Sequence, residues 1–552
     1  MVLSNAEIAD RLASLAQLLS VQKENPYKIR AYQRAAARIR TLPESLDEIV
    51  HSGEDLTRYT GIGDAIADAI REIVTTGALA RLESLRAEAA PAVADLNHYP
   101  RLDPKRVLRI YKKLGLHSVD ELRARLESGD IEATFGSRMA QHLREGLTDA
   151  RTLLLYKADD LRAAVEEYLL TRCRARRAEV AGAYRRRVEV VDDLLFVVET
   201  GDFPALIAQF ERYGGHTPLV SSTEDHAVFS LPAGIPLRIQ LATPSDWGSL
   251  MISSTGSEAH LQSLTSTTGP INAAFPSEEA FYRQFDLEYI PPELREGYDE
   301  VERASAHALP RLVTPVDIRG ELHAHTTASD GGDSIEAMAG AAQALGYEYL
   351  GITDHSRSLT IARGVSIDNL RAQIRYIDDW NGRFPGFHIL KSSEVDILAD
   401  GSLDYPDEIL QELDYTVCSI HSRFALGKRE QTERILRAMD NRYFNILGHA
   451  TGRILLRRPG YEIDIDRVIE HARQAGCFFE INSSPVRLDL CADYVRRAAA
   501  AGVMIAVSTD AHSTPEFRLI RCGLDQARRA GLEKPQVLNC QPLDVLRRLF
   551  RR

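Results

Sequence analysis

Cysteine is scarce in this sequence and follows no pattern. Cys173, Cys418, Cys477, Cys491, Cys522 and Cys540 form no CxxC pair and no regular framework, which argues against a disulfide scaffold and fits a reducing compartment. Long apolar runs are missing too: no stretch approaches the roughly 20 residues of a membrane span. The opening MVLSNAEIADRLASLAQLLS lacks the basic segment of a secretory signal, so a cytoplasmic protein without membrane partners is expected. A surplus of positive charge is also absent. With 67 Lys+Arg against 79 Asp+Glu the formal charge is −12, which excludes a uniformly basic nucleic-acid coat and leaves only local patches such as RCRARR and YRRR, between Arg172 and Arg187. Taken alone, that patch reads first as a solvated helix face with turn arginines. Low-complexity tracts and solenoid repeats are lacking.

What remains is an ordinary composition, 44% hydrophobic and 26% charged, in 552 residues, which is too long for one hydrophobic core and predicts several domains. Residues 1 to about 158 repeat apolar positions near every 3.6 residues, with turn signals at Asn25-Pro26, LPES, TGIG and ATFG, and read as helical. From 159 to 246 strand-like runs enter: VEVVDDLLFVV, HAVFSL and PLRIQLA. A shorter mixed segment, 247 to 300, follows. The polar, Pro-punctuated VERASAHALPRLVTPVD, at about 301–318, reads as a linker.

Residues 319–552 have a different grammar. Seven short runs rich in β formers (RGELHAH, YEYLGITDH, FHILKSSEVD, YTVCSIH, FNILGH, CFFEINSS and VMIAVSTDAH) alternate with amphipathic helical stretches, which predicts parallel strands with helical crossovers closed into a barrel. Six of the seven end in a histidine or carboxylate: His323 and His325 with Asp330 in the next loop, His355, Glu394, His421, His449, and Asp510 with His512. Parallel barrels gather functional groups at the carboxyl ends of their strands, so these residues should converge on one mouth. Neutral imidazoles and carboxylates are ligands for Mn, Zn and Fe. Any single histidine is more simply a hydrogen-bonded core residue, but the repetition at strand ends is not. Nine groups exceed one ion's needs. Two or three ions sharing a carboxylate suit phosphoester hydrolysis.

ELHAHTTASDG, GITDHS, SSEVDILADG, SIHS, LGHATGR, EINSSPVRLDL and STDAHS resemble the successive motifs of the polymerase and histidinol phosphatase (PHP) domain, a distorted seven-stranded barrel holding three metals. The resemblance implies one metal on His323, His325, Glu394 and Asp510, a second on Glu394, His421 and His449, and a third on Asp330, His355 and His512. Arg453, in LGHATGR, becomes a candidate phosphate contact, with a surface salt bridge as the plainer alternative. Upstream, ENPYKIRAYQRAAARI, TGIGDAIADAI, EVAGAYRR and YIPPELREG resemble motifs of bacterial family X DNA polymerases, whose C-terminal PHP domain is a Mn-dependent 3′→5′ exonuclease. The likeness runs the whole chain. It implies a multidomain α/β protein: a helix-hairpin-helix domain over 1–88, a fingers-like helical domain over 89–158, a palm over 159–246, a thumb over 247–300, the linker, and the PHP barrel over 319–552.

The palm departs from its family. Family X palms carry Asp-x-Asp on one strand and a third Asp just before Leu-Arg, whereas this chain has Asp193, Leu195 and Pro236. Asp192 cannot replace Leu195, because adjacent strand residues point to opposite faces. The Gly-Ser triphosphate motif reads Gly182-Ala183, with Arg185 and Arg186 as the remaining candidate nucleotide contacts. Ser253 and Ser254 stand for an aromatic pair before Thr255-Gly256-Ser257, and Glu258 for a lysine. In the N-terminal region Gly61-Ile62-Gly63 is the candidate DNA-binding hairpin, gripping phosphate through backbone N–H groups; a plain helix cap is the simpler reading. A second hairpin expected at PRLDPK has Arg101 and Asp103 where the family has glycines. Ala65 and Ala69 occupy the stretch where a lyase lysine belongs, and Lys28 lies elsewhere, so lyase activity is not expected.

These features, with the family resemblance, imply a monomeric, nucleoid-associated bacterial repair protein that trims DNA at gapped or 3′-end substrates through up to three metals, Mn first, with dNTP and a palm Mg or Mn as further candidates. The alternatives are a gap-filling polymerase with a rearranged palm using Asp192 or Glu199, a small-substrate phosphatase, and a DNA-end scaffold.

Overall fold

The computed structural model describes residues 3–22, 24–88, 104–136, 139–140, 143–144, 147, 152–232 and 234–551. The chain divides into two compact units: Met1–Arg185 with Val190–Gly256 and Thr268–Phe285, and Arg186–Glu189 with Ser257–Thr267 and Asp286–Arg552. No helix among the described residues is long and apolar enough to cross a membrane.

The first unit opens with α1 (Asn5–Val21), started by a capping box in which Ser4 and Glu7 satisfy each other's backbone N–H groups. In α2 (Pro26–Ile39) Asn25 caps and Pro26 supplies a preset φ at the first position. With α3 (Leu46–Ser52) and α4 (Asp64–Thr76), these helices bury Leu12, Leu19, Ala35, Ile39, Leu46 and Ile70 completely in one core. A second helical cluster is built on Val107, Ile110, Leu122 and Ile131.

After it comes a mixed sheet. Its strands are β2 (Arg177–Val180), β4 (Leu194–Glu199), β5 (Leu219–Ser222), β6 (His226–Ser230) and β7 (Pro236–Leu241), ordered β2-β4-β7-β6-β5 with only β4 and β7 parallel. The run VEVVDDLLFVV is not one strand. Val190–Val191 form β3, which pairs antiparallel with β1 (Leu153–Leu154); β4 begins after the two aspartates. Both faces of β4 are covered: Phe196 and Val198 enter one apolar cluster, Leu195 and Val197 another with Trp247 and Met251, so the carboxylates fall in the break. The expected border near 158 also lies inside a helix, Leu155–Thr171, because Ala158, Leu161 and Val165 carry the buried stripe across it.

In the second unit the seven predicted runs all form parallel strands: β8 (Gly320–Ala324), β9 (Tyr349–Ile352), β10 (His388–Lys391) continuing as β11 (Glu394–Asp396), β12 (Val417–Ser419), β13 (Ile446–Leu447), β14 (Phe478–Asn482) and β15 (Ile505–Ser508). The third run splits at Ser392-Ser393, leaving β9 and joining β12, so that β10-β9-β8 and β11-β12-β13-β14-β15 form separate sheets. Ala324 bridges Ala511 in parallel and His325 N donates to Ala511 O at 2.8 Å, which joins β8 to the end of β15. The stretch read as a linker is packed: Val313 is fully buried and donates its N–H to Leu532 O at 2.9 Å. Its polarity belongs to the outer face of a segment whose few apolar side chains reach inward.

Candidate metal centre

The parallel strands deliver their ends to one place. Three groups of side chains have potential ligand atoms within 4.8 Å of one another: His323, His325, Glu394 and Asp510; His355, Glu394 and His421; and His325, Asp330, His355 and His512. Glu394 is the hub. Its Oε2 lies 3.4 Å from His323 Nε2, 3.5 Å from His325 Nε2 and 2.9 Å from His355 Nδ1, while its Oε1 lies 3.3 Å from His421 Nε2 and 2.9 Å from His449 Nε2. Asp510 Oδ1 stands 3.0 Å from His325 Nε2, and Asp330 Oδ1 stands 3.3 Å from His512 Nε2. All nine predicted residues are therefore brought together. The grouping differs in detail: His355 and His325, whose rings stack at 4.3 Å, each join a second group, while His449, expected beside His421, falls in none of the three and meets Glu394 at 2.9 Å.

This packing of like donors fits divalent cations. Among the described residues, His323 Nε2, His325 Nδ1, His449 Nδ1 and Glu394 Oε2 are buried without a hydrogen-bond partner, a costly state that a metal ion at the cluster would relieve for the atoms facing it. Burial alone would raise the Glu394 carboxyl, but the imidazoles of His355, His421 and His323 hold it well below the usual range. Asp510 is likewise held low against burial by His323 and His325. Burial works against charge on His421, yet Glu394 and Asp396 raise it to about 10. His512 is raised to about 9, against burial, by Asp330 and Asp510. His449 and Asp510 adopt positive φ, 27° and 53°, a backbone state that costs energy in non-glycine residues and clusters at functional sites.

Sequence reading missed the carboxylates behind these groups. Glu480, fully buried, lies 2.6 Å from His323 Nδ1 through Oε1 and accepts from His449 N at 2.8 Å through Oε2. Asp396 stands 2.5 Å from His421 Nδ1. Asp354 accepts from Thr326 N and Oγ1, Ser329 Oγ and Gln373 Nε2, which orders the loop bearing Asp330. Such partners fix ring orientation and ligand basicity. Period two was the available signal: Asp396 follows Glu394 by two, and Glu480 precedes Asn482, which donates to Asp510 at 3.0 Å, by two.

Three weaker assignments change. Arg453 is no free phosphate contact: it pairs with Glu189 at 2.7 Å and donates to the carbonyls of Arg487 and Leu488. Arg185 is held by both oxygens of Glu278, at 2.9 and 2.6 Å, and by Thr255 Oγ1 at 3.1 Å; Arg186 pairs with Glu296 at 3.2 Å. Their charge is already compensated, so neither is a ready triphosphate ligand. Gly182 adopts φ 67°, where glycine is favoured, and a Cβ there would meet Leu195 Cβ at 3.6 Å, an ordinary contact. Asp193 sits just before β4, and Leu195 is opposite Arg238 in the β4–β7 register.

In the helical domain Gly61, at φ 92°, makes the turn into α4, and Gly63 caps that helix without a side-chain hydrogen bond. Ile62 anchors the turn in the core at 3% exposure. A Cβ at either glycine would meet nothing within 4 Å, leaving the outer face open to close approach. Ala69 is buried on α4, and exposed Lys28 lies 4.0 Å from Glu24. Arg101 and Asp103 lie outside the described residues.

The fold and site define a helix-hairpin-helix protein carrying a PHP-type barrel able to hold metal ions. Family models agree: a helix-hairpin-helix domain matches residues 3–79 and a PHP domain matches 321–484. DNA polymerase/3′-5′ exonuclease PolX of Bacillus subtilis (strain 168) is 33% identical over an alignment of 572 residues that covers 99% of each chain. The chain belongs to this PolX family, the bacterial family X DNA polymerases with a C-terminal PHP domain. A probable phosphatase of Thermoanaerobacter sp. (strain X514) is 30% identical over 231 residues, 40% of this chain and 89% of that protein; one of Acetivibrio thermocellus is 29% identical over 204 residues, 35% of this chain and 78% of that protein.

Proposed function

We propose that this chain is a metal-dependent 3′→5′ exodeoxyribonuclease of DNA repair or end processing, working through its barrel, with Mn the preferred ion and the palm inactive in nucleotide addition. The observation that carries this reading is the convergence of nine histidines and carboxylates at one barrel mouth, around buried Glu394. His323, His325, Glu394 and Asp510 would hold one ion; Glu394, His421 and His449 a second; Asp330, His355 and His512 a third. Divalent ions in such a site supply Lewis-acid charge to the phosphoryl oxygens and lower the pKa of the attacking water. The chain's own contribution is orientation. Glu480 and Asp396 hold the Nδ1 atoms of His323 and His421, so that the Nε2 atoms face Glu394.

In the palm, one carboxylate already paired with an arginine cannot balance two divalent ions and a triphosphate, so neither productive dNTP binding nor a palm Mg or Mn centre is expected. The Gly61–Gly63 turn would hold DNA by its backbone, without regard to sequence. The name of the Bacillus subtilis relative, which joins polymerase and exonuclease, supports DNA as substrate and also keeps the gap-filling reading as the second one. The probable phosphatases match 40% of this chain or less, so a phosphatase reading leaves the rest of it without a role. A monomer is proposed.

The test is a single-stranded oligonucleotide labelled at its 5′ end, incubated with Mn. A ladder shortening from the 3′ end, stopped by EDTA, supports the reading. Release of terminal phosphate alone, with the strand length unchanged, would replace it with a phosphomonoesterase.

A further inference from the structure

The barrel mouth is not evenly charged. β12, β13 and β14 are neighbours in one parallel sheet, so the loops at their carboxyl ends lie side by side at the metal centre. Each presents an arginine: Arg423, two residues beyond His421; Arg457, eight beyond His449; and Arg487 after β14. Arg423 and Arg457 are exposed and Arg487 is half-buried, and their guanidinium groups have no hydrogen-bonded or ion-paired partner among the described residues. This contrasts with Arg434, Arg453 and Arg458 of the same region, whose donors go to carbonyls or to Glu189.

The bound arginines make the free ones rigidly based. Buried Arg434 donates to Ser422 O at 2.9 Å and Leu398 O at 2.7 Å, fixing the loop that carries Arg423. Phe424 stacks on Tyr461 at 6.0 Å and receives the Arg458 guanidinium at 4.4 Å, joining the first loop to the second. Arg453 Nε donates to Arg487 O at 2.9 Å and Leu455 N to Val486 O at 2.7 Å, joining the second to the third. Three carboxylates of other barrel loops are engaged: Asp404 with Arg357, Asp333 with Thr514 N, Glu516 with His512 N. Three loops welded together with uncommitted guanidinium groups are suited to a row of phosphates rather than to one.

We propose that Arg423, Arg457 and Arg487 form a phosphate track for a single-stranded polynucleotide whose 3′ end enters the metal centre. The track rests on the phosphoesterase reading above and deepens it by assigning the barrel's preference for a polyanionic strand over a small ester. Backbone contacts of this kind carry no sequence information and weaken with salt, by a slope of about 0.7 per neutralised phosphate on single strands.

The experiment uses the full chain with Mn, comparing an oligodeoxythymidylate with the p-nitrophenyl ester of thymidine 5′-phosphate, across a salt series. The variants are Arg423→Ala, Arg457→Ala, Arg487→Ala and the triple, each checked for native thermal unfolding; the singles carry the test if the triple does not fold. The expected result is a KM for the oligonucleotide raised about tenfold or more in the triple variant, a salt slope smaller by about 2, and a fall in the oligonucleotide-to-ester ratio of kcat/KM. An unchanged ratio and slope in folded variants would overturn the track while leaving the phosphoesterase standing. If the wild type cleaves neither substrate, the phosphoesterase reading fails and takes the track with it.

Discussion

Arg238 Nε donates to Asp193 Oδ2 at 2.6 Å, joining the carboxylate just before β4 to a guanidinium on the neighbouring β7. The pair sits beside Leu195, which lies 9% exposed among Trp247, Met251 and Ala181. The sheet is intact, and the face of β4 that carries Leu195 is packed with apolar side chains.

Restoring a carboxylate there should cost stability. Leu195→Asp places a charge in an apolar cluster, opposite an Arg238 already committed to Asp193, and the expected loss is on the order of 3 kcal/mol. Denaturant unfolding followed through the Trp247 fluorescence reads it; a loss below about 0.5 kcal/mol would mean that the site is more open than its burial indicates.

Glu480→Gln tests orientation in the barrel. Glu480 touches His323 and His449 on different strands, so the amide should weaken metal binding by about 10–100-fold with the fold retained. Titration calorimetry with Mn measures it. Unaltered affinity would reduce Glu480 to a packing residue.

Metal removal should change the pH dependence of stability. In the metal-free barrel His421 and His512 are raised to about 10 and about 9. A raised folded-state pKa contributes stability fully present below the unfolded value near 6.5 and lost as pH climbs through the folded value. With EDTA, the barrel's Tm is therefore expected to fall between pH 7 and 10. With Mn bound the same rings must be neutral, so the fall should be absent or smaller and Mn affinity should rise with pH. Parallel Tm profiles with and without metal would contradict the assignment of these rings.

Gly61→Val tests the hairpin. At φ 92° a β-branched side chain is strained, costing about 1–2 kcal/mol, and it covers the outer face of the turn. DNA affinity should drop several-fold with thermal unfolding only modestly shifted; fluorescence anisotropy on a gapped duplex decides it.

The barrel's ligands were legible because parallel strands repeat one rule: His323, His449 and Asp510 stand at or just past a strand's end, and Glu394 opens the short β11 that completes its run. The supporting carboxylates were hidden, since Glu480 and Asp396 look like ordinary strand residues until their partners, 157 and 25 positions away, are folded against them. The split of VVDDLLFVVE was hidden for a similar reason: β3 pairs with Leu153–Leu154, a contact that no local pattern announces. Arg453 carried a family-like motif, but its commitment to Glu189 is long-range and invisible in the sequence.

The central claim is that chemistry resides in the barrel and not in the palm. The most direct measurement is a labelled gapped primer–template with Mn, with and without dNTPs, comparing wild type with Asp510→Asn and Asp193→Asn. Primer shortening in wild type and Asp193→Asn, lost in Asp510→Asn, with no extension in any lane, is the predicted result. Extension in wild type that disappears only in Asp193→Asn would contradict it.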